Sequence, residues 1–149
     1  SYFQPGDVPT GEYALPLGKA AVKRPGSDVT VIAWGREVAM SVYAAENLAK
    51  EGVDVEVIDL RTLVPFDAET VLGSVAKTKR AVVVHQAVRR GGFGAEVSSI
   101  IHENLFGDLA APVARVAAAD TPVPYAAELE QAFLPGLEDI AAGIRRALG

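Results

Sequence analysis

The chain has 149 residues, half of them hydrophobic and 22% charged, with a net charge of −5 and no cysteine. That length and composition fit one globular domain with a single buried core, and the missing cysteines exclude disulfides, thiolate metal sites and thiol catalysis. The negative charge argues against nucleic acid or an anionic membrane as partner, and no apolar run is long enough to span a bilayer.

Residues 1–27 carry Pro5, Pro9, Pro16 and Pro25 among Gly6, Gly11, Gly18 and Gly26, so regular structure there must be short. They read as an extended N-terminal linker packing on the body, with a brief strand or a turn of helix near Leu15–Val22, and the body is residues 28–149. The opening stretch lacks a start methionine and a basic-then-apolar signal pattern, which points to a piece of a longer protein.

Val29–Ala33 is the first clear strand, and Arg36–Glu51 reads as a helix with Val38, Val42, Ala45 and Ala49 on one stripe. Gly52 is its natural stop. Val53–Leu60 is the second strand. Asp67 is placed to cap a helix over Ala68–Lys79, with Arg61 and Asp67 read as a pair fixing the loop between. Ala81–Val84 is a short β-branched run suited to a strand buried on both faces. A helix follows from Gly94, with Val97, Ile100, Ile101, Asn104 and Leu105 along one side. Pro112–Ala118 gives another strand, Ala126–Phe133 a short helix, and Pro135 suits the first position of a last helix striped by Leu137, Ile140, Ile144 and Leu148. Alternating strands and helices predict an α/β fold with helices on both faces of a largely parallel sheet.

The loop Gln86–Gly94 holds the densest glycines. A dinucleotide fingerprint needs three glycines at fixed spacing, and Val97 stands where the third belongs. Gly18-Lys19 is followed by Ala20, so a phosphate-binding P-loop fails as well. Close helix–sheet packing is the better reason for Gly92 and Gly94. His85 ends the third strand, where an acid–base group can sit, although backbone hydrogen bonds are the commoner role there. Ser98 and His102 lie one turn apart with no third residue to orient the imidazole. Acids and histidines do not cluster at metal-ligand spacing. Arg89 and Arg90 suit a phosphate, a carboxylate or a subunit salt bridge. No complete catalytic constellation emerges.

Charge is unevenly spread. Residues 1–80 are near balance, whereas from Glu103 to Asp139 Arg115 is the only base among seven acids. This segment reads as a solvated acidic surface or a docking face for a basic partner.

Taken together, Val53-Asp-Val-Glu-Val-Ile-Asp-Leu-Arg-Thr-Leu-Val-Pro-Phe-Asp67, Leu15-Pro-Leu-Gly-Lys-Ala20, His85-Gln-Ala, Gly91-Gly-Phe-Gly-Ala-Glu96, Ala111-Pro-Val-Ala-Arg-Val116 and Asp120-Thr-Pro-Val-Pro124 resemble the C-terminal domain of transketolase-like thiamine enzymes. In combination they are similar to the β subunit of the decarboxylating first component of 2-oxo acid dehydrogenase complexes, over about residues 8–149. Gln86 departs from the glutamate typical of the branched-chain members. The resemblance implies a three-layer α/β/α domain of about five strands, mostly parallel, with one antiparallel edge strand. It places thiamine diphosphate and magnesium in the α subunit and the N-terminal part of the β subunit, so no cofactor, metal or catalytic residue is carried over to this chain. The partners it implies are an α subunit, a second β subunit and the subunit-binding domain of the acyltransferase, in the cytoplasm or the mitochondrial matrix. Asp108, Glu128, Glu130 and the last helix are the candidate docking residues. His85 with Gly91-Gly-Phe leans towards branched-chain 2-oxo acids over pyruvate. Another thiamine enzyme, such as an acetoin dehydrogenase or a transketolase-type synthase, and a free-standing nucleotide-binding domain are the alternatives.

Overall fold

The computed structural model describes residues 10–149; the first nine residues of the expected linker lie outside that range. Five strands form one sheet: β1 (Ala21–Arg24), β2 (Val29–Ala33), β3 (Val55–Asp59), β4 (Ala81–Val88) and β5 (Ala114–Ala118). Their spatial order is β1-β3-β2-β4-β5. The pairs β2–β3, β2–β4 and β4–β5 are parallel, and β1 runs antiparallel along the edge of β3. The expected mostly parallel sheet with one antiparallel edge is therefore present.

The helices are α1 (Arg36–Ala49), α2 (Ala68–Thr78), α3 (Gly94–Leu105), α4 (Ala127–Phe133) and α5 (Leu137–Leu148). The period of two in β2 and β4 sends alternate side chains to opposite faces. Val31, Ala33, Val82 and Val84 meet Ala45 and Leu48 of α1 and Ile140 and Ile144 of α5. Ile32, Ile58 and Val83 meet Val71 and Val75 of α2 and Val97 and Ile101 of α3. Two cores thus lie on either side of one sheet, which explains why its central strands read as unbroken apolar runs.

Several expectations need correction. The third strand runs on to Val88, through Gln86 and Ala87, which are exposed. Asn104 is exposed as well, because Val97 and Ile101 already centre the buried stripe of α3. Pro135 lies just before the cap, Gly136, and is not the first residue of α5. Arg61 does not pair with Asp67. The Asp67 carboxylate instead accepts the Thr70 N–H and hydroxyl, capping α2, and the Ala20 N–H at 2.9 Å. Gly52 stops α1 as expected, at φ 84°, a conformation that costs glycine little. Among the described residues no helix is long and apolar enough to cross a membrane.

Candidate functional site

The chain leaves β2 towards β3 on one side and, after β3 and α2, returns to β4 on the other. The carboxyl ends of β2 and β4 therefore flank a topological switch point, where open α/β sheets usually bind ligands. In this chain the position is filled by its own side chains. Trp34, just past β2, stacks on His85 of β4 with ring centroids 5.2 Å apart and planes 8° from parallel, and Phe93 meets the indole edge-on.

His85 is fully buried, and among the described residues neither ring nitrogen has a hydrogen-bond partner. Burial holds its basicity below the ordinary imidazole range; a close approach of the Ala87 backbone opposes this, and the Arg115 charge adds to it. The ring occupies the space that the glycine corner leaves open. A Cβ on Gly92 would fall 2.9 Å from His85 Cε1, and one on Gly94 would overlap the imidazole at Nε2 and Cδ2. The two glycines are therefore packing residues, as expected: His85 requires Gly94, and the Val88 carbonyl, which a Cβ on Gly92 would overlap, requires Gly92 together with the histidine. The expected backbone anchoring of His85 is replaced by aromatic stacking.

On the opposite face of the sheet, Glu37 enters the first turn of α1 fully buried. Burial raises its carboxyl above the usual range, while Arg36 and the Gln86 side chain pull it back down. Among the described residues, Glu37 Oε2 and the buried Ser41 hydroxyl one turn later lack partners. Nothing in the sequence marked this pair, because a glutamate in a first helical turn is ordinarily a solvated residue favoured by the helix dipole.

The other candidates separate. His102 Nδ1 lies 2.8 Å from the Ser98 carbonyl and 3.5 Å from the Ser98 hydroxyl. A carbonyl only accepts, so Nδ1 carries the proton and offers Ser98 no base. Arg89 and Arg115 each donate to the other's carbonyl, at 2.9 and 3.0 Å, and Arg90 bridges Asp120 at 2.7 Å. The two adjacent arginines are thus both engaged within the chain. Asp108 follows α3, near Lys79 at 3.8 Å, at the end of the sheet where β4 begins. Glu128 and Glu130 lie on α4, beyond the other end of β5, and both are exposed. The three acidic candidates do not share a face.

Thiamine diphosphate and magnesium, which the resemblance implies for the parent enzyme, find no fitting donor set in these elements. The described residues contain no group of three acids or histidines placed to hold a metal. The glycine corner that could have approached a pyrophosphate is closed by His85.

A five-stranded sheet between helices, parallel except for one reversed edge strand and with its switch point filled by Trp34 and His85, defines the class of fold. Residues 18–140 match the transketolase C-terminal domain family, and the chain belongs to that family. It is 44% identical over 135 residues to the mitochondrial pyruvate dehydrogenase E1 component subunit beta of Dictyostelium discoideum, covering 91% of this chain and 38% of that one. Against the same subunit of Staphylococcus epidermidis it is 48% identical over 134 residues, covering 90% and 41%. Among solved structures it is similar to a split-gene transketolase described as an inactive β4 tetramer, with a TM-score of 0.76, 26% identity and coverage of 96% of this chain and 45% of that one. The chain thus spans about two fifths of the curated relatives it matches.

Proposed function

We propose that this chain is the C-terminal assembly and docking domain of the β subunit of a 2-oxo acid dehydrogenase. In this reading the parent enzyme decarboxylates a 2-oxo acid on thiamine diphosphate and passes the acyl group to lipoamide. The relatives are named for pyruvate, which favours pyruvate over the branched-chain acids towards which His85 and Gly91-Gly-Phe93 lean. The rest of the β subunit and the α subunit supply the cofactor site, in the cytoplasm or the mitochondrial matrix. The β4 assembly of the similar transketolase supports contact with a second β subunit.

The observation that carries the docking role lies at the end of α3. Phe106 is 80% exposed there, beside a cavity of about 300 Å³ lined by His102, Phe106, Leu109, Ala110 and Pro112. Asp108 and Glu103 stand exposed around it. An apolar anchor within an acidic rim suits a small basic partner such as the acyltransferase's subunit-binding domain: apolar burial holds it and charge steers it. Glu128 and Glu130 form a second acidic patch, and the cavity that Glu130 lines also holds the Arg36 cation, which suits a basic partner less well.

The test is a titration of the chain with that subunit-binding domain at low and high salt. Phe106→Ala should weaken binding by about 2 kcal/mol. Asp108→Asn should reduce mainly the salt-sensitive part, and Glu128→Gln with Glu130→Gln should have the smaller effect. Binding indifferent to Phe106→Ala and Asp108→Asn would remove this surface from the proposal.

A further inference from the structure

We propose that the cleft between the outer edge of β5 and helix α5 is an oxyanion-binding site, built for a compact phosphate or carboxylate ligand. It encloses about 350 Å³ and is lined by Arg89, Arg115, Asp120, Asp139 and Arg146 around the small residues Ala118 and Gly143.

The argument begins with charge. The chain is acidic overall, yet Arg115, the one base between Glu103 and Asp139, folds into the same cleft as Arg89 and Arg146. Of the two carboxylates there, one is already paired with a base outside the lining and the other, still charged, is a single anion beside three guanidinium groups. Asp120 is bridged by Arg90 at 2.7 Å, and Asp139 accepts the Gly136 N–H at 2.8 Å. Among the described residues no ion pair neutralises Arg89, Arg115 or Arg146. Three like charges gathered around one opening repel each other, and a bound anion is the direct way to relieve that.

Geometry adds preorganisation. Arg89 Nη1 donates to the Arg115 carbonyl and Arg115 Nη1 to the Arg89 carbonyl, at 2.9 and 3.0 Å. This reciprocal clamp fixes two guanidinium groups across the β4–β5 gap, and each retains further N–H donors in its planar fork. Such forks match the oxygens of phosphate and carboxylate, which lysine does less well. Room is made at the floor, where a Cβ on Gly143 would overlap Val116 Cγ2. Small residues let α5 approach the strand, so Arg146 reaches the same opening. The site is separate from the Phe106 surface and does not depend on the docking proposal.

The experiment is an amide chemical-shift titration of the chain with inorganic phosphate and, separately, with succinate, at ionic strength held constant with chloride. Saturable shifts centred on Arg89, Arg115, Ala118 and Arg146 are expected with at least one of them, and the difference between the arms tells phosphate from carboxylate preference. The Arg115 charge helps depress His85, so the bound anion should also move the His85 ring titration upward. Arg146→Gln, which breaks no hydrogen bond or ion pair of the fold, should weaken binding about tenfold. Lys19→Gln, a loss of the same charge at the opposite edge of the sheet, should change it less than about twofold. Arg115→Gln tests the clamp; should it unfold the chain, Arg146→Gln still decides. Shifts with neither anion, or equal weakening by Lys19→Gln and Arg146→Gln, would overturn the proposal.

Discussion

His85, Gly92 and Gly94 are one packing unit at the residue scale. The imidazole stacks on Trp34 and takes the volume a side chain at Gly94 would need. Gly94→Ala must therefore displace the ring or the helix, an overpacking that costs about 1–3 kcal/mol. If the ring is the obstacle, the same substitution should cost much less once His85 is alanine. Urea unfolding of the two single variants and the double variant measures this coupling. Additive effects would show that Gly94 serves some other contact. The sequence exposed the glycines but not their cause. A histidine seven and nine residues away in the chain becomes their neighbour only because β4 and α3 double back, and no local pattern reports that.

At the scale of elements, the legible parts were those whose local chemistry and tertiary role agree. Val29–Ala33 and Ala81–Val84 are β-branched runs that the sheet buries on both faces. Asp67 is a capping residue at a cap. The hidden parts are those where the two diverge. β4 continues through Gln86 because pairing with β5 carries it beyond its apolar run to Val88. The acids at positions 108, 128 and 130 look close in sequence, yet β5 lies between them and sends them to opposite ends of the sheet. Asp67 also does more than cap. By accepting the Ala20 N–H it anchors the approach to β1, whose strand then closes the edge of β3. Asp67→Ala should cost about 2 kcal/mol, more than an ordinary cap of about 1. Hydrogen exchange should show the loss of protection spreading from the first turn of α2 to Ala20 and the β1–β3 pairing. Loss confined to α2 would mean that β1 is held by its own ladder alone.

For the whole molecule, buried ionisable groups on the two faces of the sheet set how stability depends on pH. On one face Glu56 is nearly buried. Burial alone would raise its carboxyl, but Lys77 at 2.5 Å, the Ser74 hydroxyl and the Gly26 N–H outweigh it and leave the group below its ordinary 4.5. Asp67 is likewise held below 3.8, since its hydrogen bonds from Ala20 and Thr70 outweigh burial. Depressed carboxyls stabilise the fold fully above their unfolded values, and that stability is lost as pH falls through the folded ones. His85 acts earlier. Its basicity is depressed from 6.5 by burial, so the unfolded chain takes up a proton there first and stability falls as pH drops below 6.5. Glu37 has the opposite sign. Its raised carboxyl favours the fold below 4.5, and that contribution is lost as pH rises through its folded value. Urea unfolding between pH 8 and pH 3.5 should therefore show two separate declines on acidification, one beginning near 6.5 and one below 4.5. Each proton taken up on unfolding limits the slope to about 1.4 kcal/mol per pH unit. His85→Leu should abolish the first decline and keep the second, whatever it does to stability at pH 8. Glu37→Gln should raise stability at pH 8 and lose that advantage near pH 4. A single decline below 4.5, unchanged by His85→Leu, would mean that His85 takes its proton inside the folded domain as readily as outside it, and that the Trp34 stack yields to an imidazolium without cost.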